Sequence, residues 1–350
     1  YRIDTPNDKL PAVIAGRADL PVDQDARQRV PTRRCRVSIT ESSQFASALL
    51  LSAKTGGWEV EIEGENSDES PYVEMTKEMI KTFPHSGGTF QIEPDASSGS
   101  YFWAASSLEQ LSSKMTTVAG EDECGFVFDC QFKLTVNVTR WPTSGWQVDE
   151  QFTSHVVSLV PMGESWESRF ESAEQATVPS FKDAKLTKGL PPGVAEEIEE
   201  VAAANTCPQR IISRRKDLGD SIMTAIVLAP LAEDTWKFTD LGRLRVQECE
   251  RVVALRTELT KCGAKVIEEG DTLTVYPSKL HGAEIETYND HRMAMCFAIL
   301  GLKVPGIKIK NPACVKKTFP NFFQKLAATP PSGLGATILD GHTGRKLAAE

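Results

Sequence analysis

The chain has no C-x-x-C pair, no run of about 18 apolar residues and no excess of positive charge. Each absence removes a class of function. The eight cysteines, Cys35, Cys124, Cys130, Cys207, Cys249, Cys262, Cys296 and Cys314, are scattered, which predicts reduced thiols and no zinc site. The first residues lack the apolar core of a secretory signal, and nothing is long enough to cross a bilayer, so a cytoplasmic chain without membrane contact is expected. The sequon Asn137-Val138-Thr139 is then a chance match. A net charge of −9 excludes a general nucleic-acid binder, whose surface must be basic. What remains is ordinary for a globular protein: 350 residues, 40% hydrophobic and 25% charged, enough for about two domains.

One stretch stands out from this background. Residues 287–301 open with Asn289, Asp290, His291 and Arg292 and continue with Met293, Ala294, Met295, Phe297, Ala298, Ile299, Leu300 and Gly301. The pattern predicts a helix with Asn289 or Asp290 as N-cap and Gly301 as its stop. His291 and Arg292 then sit in the first turn, where the positive end of the helix dipole disfavours cations. A bound anion would remove that conflict; so would pairing with a neighbouring carboxylate.

The same pattern of a polar cap and an Ala- or Leu-rich helix recurs. Strand Arg36–Ile39 precedes Ser42-Ser43-Gln44-Phe45 and a helix, with Ser42 or Ser43 as N-cap. Trp58, Val60 and Ile62 alternate with Glu59, Glu61 and Glu63 as a half-buried strand. Asp68–Tyr72 opens a helix carrying Val73, Met75, Met79 and Ile80 on one face. Asp95–Ser98 and Asp217–Ser221 begin further units, Arg245–Gly263 reads as one long amphipathic helix, and strands are expected at Thr272–Tyr276 and Ile307–Ile309. Residues 1–34 hold only the short apolar run Val13–Ile14. Repetition at this scale predicts an α/β fold of βαβ-type modules whose helix N-termini converge on a site for an anionic ligand. Residues 107–140 and 153–206 break the rhythm and read as surface insertions, and 328–350 as a flexible tail.

The candidates for chemistry are Ser42, Ser43, Gln44, Asp220, Glu248, Arg251, His291, Arg292 and Lys317. Two arginines can grip a carboxylate or phosphate bidentately and a lysine adds a point charge. Asp220 and Glu248 suit proton transfer if their surroundings tune them. Arg251 lies three residues from Glu248 and four from Gln247, so a pair on a helix surface is its plainer explanation.

Tyr288–Phe297, Lys317-Thr318-Phe319-Pro320 and Arg245-Val246-Gln247-Glu248-Cys249-Glu250-Arg251 together resemble the 5-enolpyruvylshikimate-3-phosphate synthases. Ser42–Phe45, Asp95–Ser98 and Asp220–Thr224 match that family in the same order, so the resemblance covers about 36–105 and 210–327. The UDP-sugar enolpyruvyl transferases share the fold but are not expected to carry the Asp-His-Arg-Met-Ala-Met helix. The resemblance implies a two-domain enolpyruvyl transferase fold of repeated βαβαββ units. Residues 1–94 would be the remainder of an incomplete first domain, and 95–327 the second. It implies enolpyruvyl transfer from phosphoenolpyruvate to the 5-hydroxyl of shikimate 3-phosphate, with release of phosphate, on the route to chorismate and aromatic amino acids. By motif, Ser42, Ser43, Gln44, Asp220 and Gln247 would hold shikimate 3-phosphate. Gln44, Arg251, Arg292 and Lys317 would hold phosphoenolpyruvate, and Asp220, Glu248 and His291 would carry the proton transfers. A monomer with no metal and no organic cofactor is implied.

The departures are specific. The family's N-terminal Pro-Gly-Ser-Lys-Ser motif, with its lysine, has no counterpart in these residues, so an N-terminally truncated member is expected. Gln247 stands where the family has a substrate-binding lysine, and Glu69 where a serine meets the substrate phosphate. The alternative expectation is an inactive fragment or pseudoenzyme retaining part of the anion site.

Overall fold

Two compact units divide the chain, Tyr1–Lys81 and Thr82–Glu350. The computed structural model describes residues 2–4, 13–15, 33–40, 42–66, 68–84, 86–109, 136, 138–159, 209–341 and 343–347.

In the first unit, the apolar run at Val13–Ile14 is a strand. β1 (Arg2–Asp4) pairs antiparallel with β2 (Val13–Ala15). β3 (Arg33–Ser38) runs parallel to β4 (Trp58–Glu63), and α1 (Gln44–Gly56) makes the crossover. Gly57 closes α1 at φ 66°, a left-handed position that costs glycine nothing. Along β4 half-buried and exposed residues alternate, as Trp58, Val60 and Ile62 against three glutamates require. α2 (Ser70–Thr82) buries Val73 and Thr76, while Met75, Met79 and Ile80 are only partly covered. Ile39, Ala46 and Val73 form a small core.

The second unit contains the expected repeat in full. In order come β5 (Gln209–Ser213), α5 (Ile222–Leu228), β6 (Thr235–Thr239), α6 (Arg251–Lys261), β7 (Val266–Glu269) and β8 (Thr272–Val275), a βαβαββ succession. The sheet order is β5-β6-β8-β7, with β5 and β6 parallel and β8 antiparallel to both neighbours. A shorter βαβ follows: β9 (Glu284–Ile285), α7 (His291–Gly301) and β10 (Lys308–Ile309), with β9 and β10 parallel. A 3-10 turn at Pro312–Lys317 and α8 (Phe322–Ala327) complete it. α3 (Ala96–Glu109), a 3-10 turn at Val148–Gln151 and α4 (Phe152–Leu159) pack onto the same core.

Burial holds these short helices. Every residue of α5 is buried, and so is every residue of α7 except Arg292. Helices of this length are marginal alone, but each fully buried Leu, Ile or Met contributes roughly 1.5–3 kcal/mol. Tyr101 of α3 and Phe322 of α8 close one side edge to face, with ring centroids 5.6 Å apart.

Several expectations change. The long helix from Arg245 starts only at Arg251, because a 3-10 turn at Leu241–Val246 precedes it and Glu250 caps it, accepting the Val253 N–H at 2.6 Å. Val246 and Val253 are therefore exposed, and the buried line is Val252, Leu255 and Leu259. Gly301 is the last residue of α7, and Leu302 stands at its C-cap. The chain beyond Leu326 folds back: the Ala336 N–H donates to Leu326 O at 2.9 Å, the Leu347 N–H to Ile338 O at 2.8 Å, and Ala336 and Ile338 are buried. Residues 148–159, within or beside the expected insertions, supply Phe152, Val156 and Leu159 to the core. The remainder of those insertions, 110–135 and 160–208, and with it Cys124, Cys130 and Cys207, lies outside the described residues. Among the described residues Cys35, Cys249, Cys262, Cys296 and Cys314 are free, and no helix is long and apolar enough to cross a membrane.

Candidate active site

The second unit gathers charge where strands end and helices begin. α7 starts at Asp290, which caps it by accepting the Arg292 N–H at 2.8 Å. The chain reaches Asp290 through Tyr288 and Asn289, both left-handed at φ 54° and 56°. The carboxylate of Asp290 also takes the Nε–H of Arg251 at 2.7 Å and an Nη2–H at 3.3 Å, a bidentate grip. Both partners are buried. Arg251 is therefore no surface residue: Nη2 also donates to Glu248 at 2.7 Å and Nη1 donates to Gln247.

Asp220, in the turn before α5, is ringed by guanidiniums. Arg214 Nη2 donates to its Oδ1 at 2.9 Å, Arg292 Nη2 lies 3.2 Å from its Oδ2, and Arg251 Nη1 lies 4.0 Å away. Burial pushes this carboxyl up, but Arg292, Arg214 and Arg251 outweigh it and hold the carboxyl well below the usual range. Burial likewise works against the Arg292 cation. Asp220, the Tyr101 hydroxyl, Asp149 and Asp95 more than offset it and raise the arginine's pKa.

Glu248 bridges the buried and exposed sides. Its carboxylate accepts from Arg251 and, at 2.6 Å, from Lys317 Nζ, whose side chain is 60% exposed. Burial raises the Glu248 carboxyl, while Lys317 and Arg251 bring it below its ordinary value. His291 is buried, its Nδ1 has no hydrogen-bond partner among the described residues, and burial followed by the Arg292 charge depresses its pKa. That shift favours the neutral imidazole.

Helix N-termini do converge, and a carboxylate of the chain fills the junction. Asp149 accepts the Ser97 Oγ–H from the first turn of α3 at 2.6 Å, the Ser221 N–H at the start of α5 at 3.0 Å, and the Ser221 hydroxyl. A Cβ at Gly219 would stand 2.9 Å from Asp149 Oδ2, so the close approach requires glycine there. In the first unit, Ser43 stands at the N-cap of α1 without making a side-chain cap, and the Gln44 N–H donates to Ser42 Oγ at 3.2 Å. The buried Glu69 supplies the carboxylate, accepting the Ser43 N–H at 2.6 Å.

Residues 197–326 match the family model for EPSP synthase (3-phosphoshikimate 1-carboxyvinyltransferase). Over these residues the chain is similar to the EPSP synthases. A 3-phosphoshikimate 1-carboxyvinyltransferase of Laribacter hongkongensis is 31% identical over 323 residues, 85% of this chain and 62% of the relative. The chloroplastic protein of the same name from Brassica napus is 31% identical over 328 residues, 87% of this chain and 55% of the relative. The chain thus spans less than two thirds of the length of these relatives. The solved EPSP synthase of Acinetobacter baumannii aligns with 36% of this chain and 30% of its own at 28% identity, with a TM-score of 0.32.

Within the second unit, Asp220, Gln247, Glu248, Arg251, His291, Arg292 and Lys317 lie together, with Asp220 as the common partner of the guanidiniums. Ser42, Ser43 and Gln44 belong to the other unit, at the start of α1. Four site residues escaped the sequence reading: Arg214, Asp149, Tyr101 and Glu69 in its capping role. Only Arg214 left a signal, the run Arg214-Arg215-Lys216 directly after a strand in an acidic chain.

Proposed function

We propose that the chain carries the machinery of enolpyruvyl (1-carboxyvinyl) transfer from phosphoenolpyruvate to the 5-hydroxyl of shikimate 3-phosphate, with release of phosphate. One observation carries the reading: Arg292 is held half-buried at the positive end of a helix, against Asp220, with two further guanidiniums alongside. A cation in that position is unfavourable for the helix alone, and an anionic ligand turns the arrangement to use.

In this reading Arg292 and Lys317 grip the carboxylate and phosphate of phosphoenolpyruvate, and Arg251 backs them from below. Ser42, Ser43, Gln44 and Gln247 hold shikimate 3-phosphate. Asp220 accepts the proton of the 5-hydroxyl as its oxygen bonds to C2 of phosphoenolpyruvate. Glu248, beside His291, takes up a proton from solvent once the ligand draws Lys317 from it, and delivers that proton to C3. The tetrahedral adduct then loses that proton and phosphate together, and the vinyl group re-forms.

The ion pairs make the base conditional. Asp220 flanked by guanidiniums is a weak proton acceptor. When phosphoenolpyruvate draws Arg292 onto its own anions, Asp220 loses cationic partners and grows more basic at the moment it is needed. The reading includes a cytoplasmic monomer without metal or organic cofactor. Its domains are 1–94 and 95–327; the compact units Tyr1–Lys81 and Thr82–Glu350 support a division in that neighbourhood.

The test is phosphate release by the purified chain given both substrates, with calorimetric binding of phosphoenolpyruvate measured in parallel. Turnover should fall at least about 100-fold in Arg292→Ala, the equivalent of roughly 2.7 kcal/mol of lost interaction. Unchanged turnover in that variant would remove Arg292 from the site. Neither binding nor turnover by the unaltered chain would defeat the functional reading.

A further inference from the structure

Arg214 directly follows β5 and is fixed there by its backbone, whose N–H donates to Thr239 O at the end of β6 at 3.0 Å. Its side chain is 3% exposed. A guanidinium offers Nε–H and one Nη–H in parallel along one edge, spaced to meet two oxygens. Arg251 shows that edge filled: both oxygens of Asp290 lie on it, at 2.7 and 3.3 Å. On Arg214 the same edge is half filled. Nη2 donates to Asp220 Oδ1 at 2.9 Å, while the buried Nε has no partner among the described residues. Asp220 cannot supply the second oxygen without leaving Arg292, because its Oδ2 is turned to that residue at 3.2 Å. A buried, charged N–H left unpaired is a costly feature, and here it adjoins the carboxylate at the centre of the cluster.

We propose that Arg214 is a further substrate-contacting residue, whose Nε–H receives the acceptor oxygen beside Asp220. The identity of that oxygen as the reacting 5-hydroxyl rests on the enolpyruvyl-transfer reading; the vacant half of the edge does not. While the hydroxyl donates its proton to Asp220, its oxygen accepts from Arg214 Nε. As the proton leaves and the oxygen bonds to C2, negative charge grows on the oxygen and the guanidinium meets it. Gln247 brings no charge to this task, since its side-chain oxygen already accepts from Arg251.

Two variants of the full chain separate positioning from mere structure. Arg214→Lys keeps a cation for Asp220 but loses the parallel edge, and Arg214→Gln loses both. In the Lys variant the acceptor KM should rise roughly 10–100-fold while the KM for phosphoenolpyruvate stays within about threefold and the thermal midpoint stays near the parent's. An acceptor KM equal to the parent's would overturn the proposal. A second measurement stands apart from turnover. In the unaltered chain labelled with 15N-arginine, the Nε–H resonance missing from the Gln variant should move when shikimate 3-phosphate is added. Movement without any phosphate release would leave Arg214 as a ligand contact and defeat the reaction reading alone. No movement with shikimate 3-phosphate, with or without phosphoenolpyruvate, would overturn the proposal itself.

Discussion

The starts of α1 and α7 solve one problem in two ways. Both helices are entered through a polar turn, and both place a carboxylate on a backbone N–H at the helix start. At α7 the carboxylate is local: Asp290 caps its own helix and simultaneously binds Arg251. At α1 it comes from 26 residues away, Glu69 on the Ser43 N–H. The first turn of α1, from Gln44 to Ser47, contains no cation, whereas α7 begins His291-Arg292. The α7 region therefore has its internal anions matched by guanidiniums and can accept another, while α1 satisfies its dipole with a charge that a ligand phosphate must meet or displace. Polar residues before a helix mark an anion site only when cations stand among them.

The largest effect that would sharpen this contrast is at Asp290. Asp290→Ala leaves Arg251 buried without its main partner and removes the cap, so unfolding in urea should show a loss of about 3–5 kcal/mol; a loss under about 1 kcal/mol would mean the pair is not the strut described. Lys317→Ala comes next. The exposed Lys317 should leave stability nearly unchanged while weakening phosphoenolpyruvate binding roughly 10-fold by calorimetry. Equal affinity would place the ligand elsewhere.

Acid should act in two stages. The folded-state pKa values of Asp220, Asp290 and Glu248 lie below their ordinary values, so their contribution is complete above the usual carboxylate range and is lost as pH falls from that range through the lowered folded-state values. His291 is depressed from 6.5, so the unfolded chain takes its proton first and stability begins to fall below about pH 6.5. Urea midpoints followed against pH should show both stages, and His291→Gln should remove the earlier one. The smallest effect is at Glu69→Gln, where the amide oxygen can still accept from Ser43 but the charge is gone. Stability should drop by about 0.3–1 kcal/mol, and shikimate 3-phosphate should bind more tightly. Weaker binding would break the comparison, because Glu69 would then be assisting the ligand.

Much of α7 was legible because its signals are local: Asp290 before the apolar run and a glycine at its end fix the element within a residue. A βαβ-type rhythm was legible in the residues, whereas the βαβαββ form of the module was implied by the resemblance alone, and the strands Gln209–Ser213, Thr235–Thr239 and Val266–Glu269 were not read. The start of α6 was not, because Arg245 to Gly263 keeps a helical apolar spacing while the cap at Glu250 decides the start. Residues after Leu326 have the composition of a loop, Pro330-Pro331-Ser332-Gly333, yet Ala336 and Ile338 are buried through contacts no local pattern announces. Within the site, the cations Arg251, Arg292 and Lys317 were readable from their motifs. Their partners were less so: Arg214 meets Asp220, and Asp149 meets Ser221 72 residues away, only once the strands have aligned.

The left-handed corner at Tyr288 and Asn289 narrows the sequences that can descend from this one. Residues with a Cβ pay about 1–2 kcal/mol to adopt that backbone, and β-branched residues pay more. Glycine at 288 would relax the chain but remove the hydroxyl that donates to the buried Glu258 at 2.8 Å. Asparagine at 289 is among the few side chains that tolerate the conformation. Drift at these two positions is thus confined to a handful of residues, and a lineage that keeps Asp290 in place inherits the corner with it.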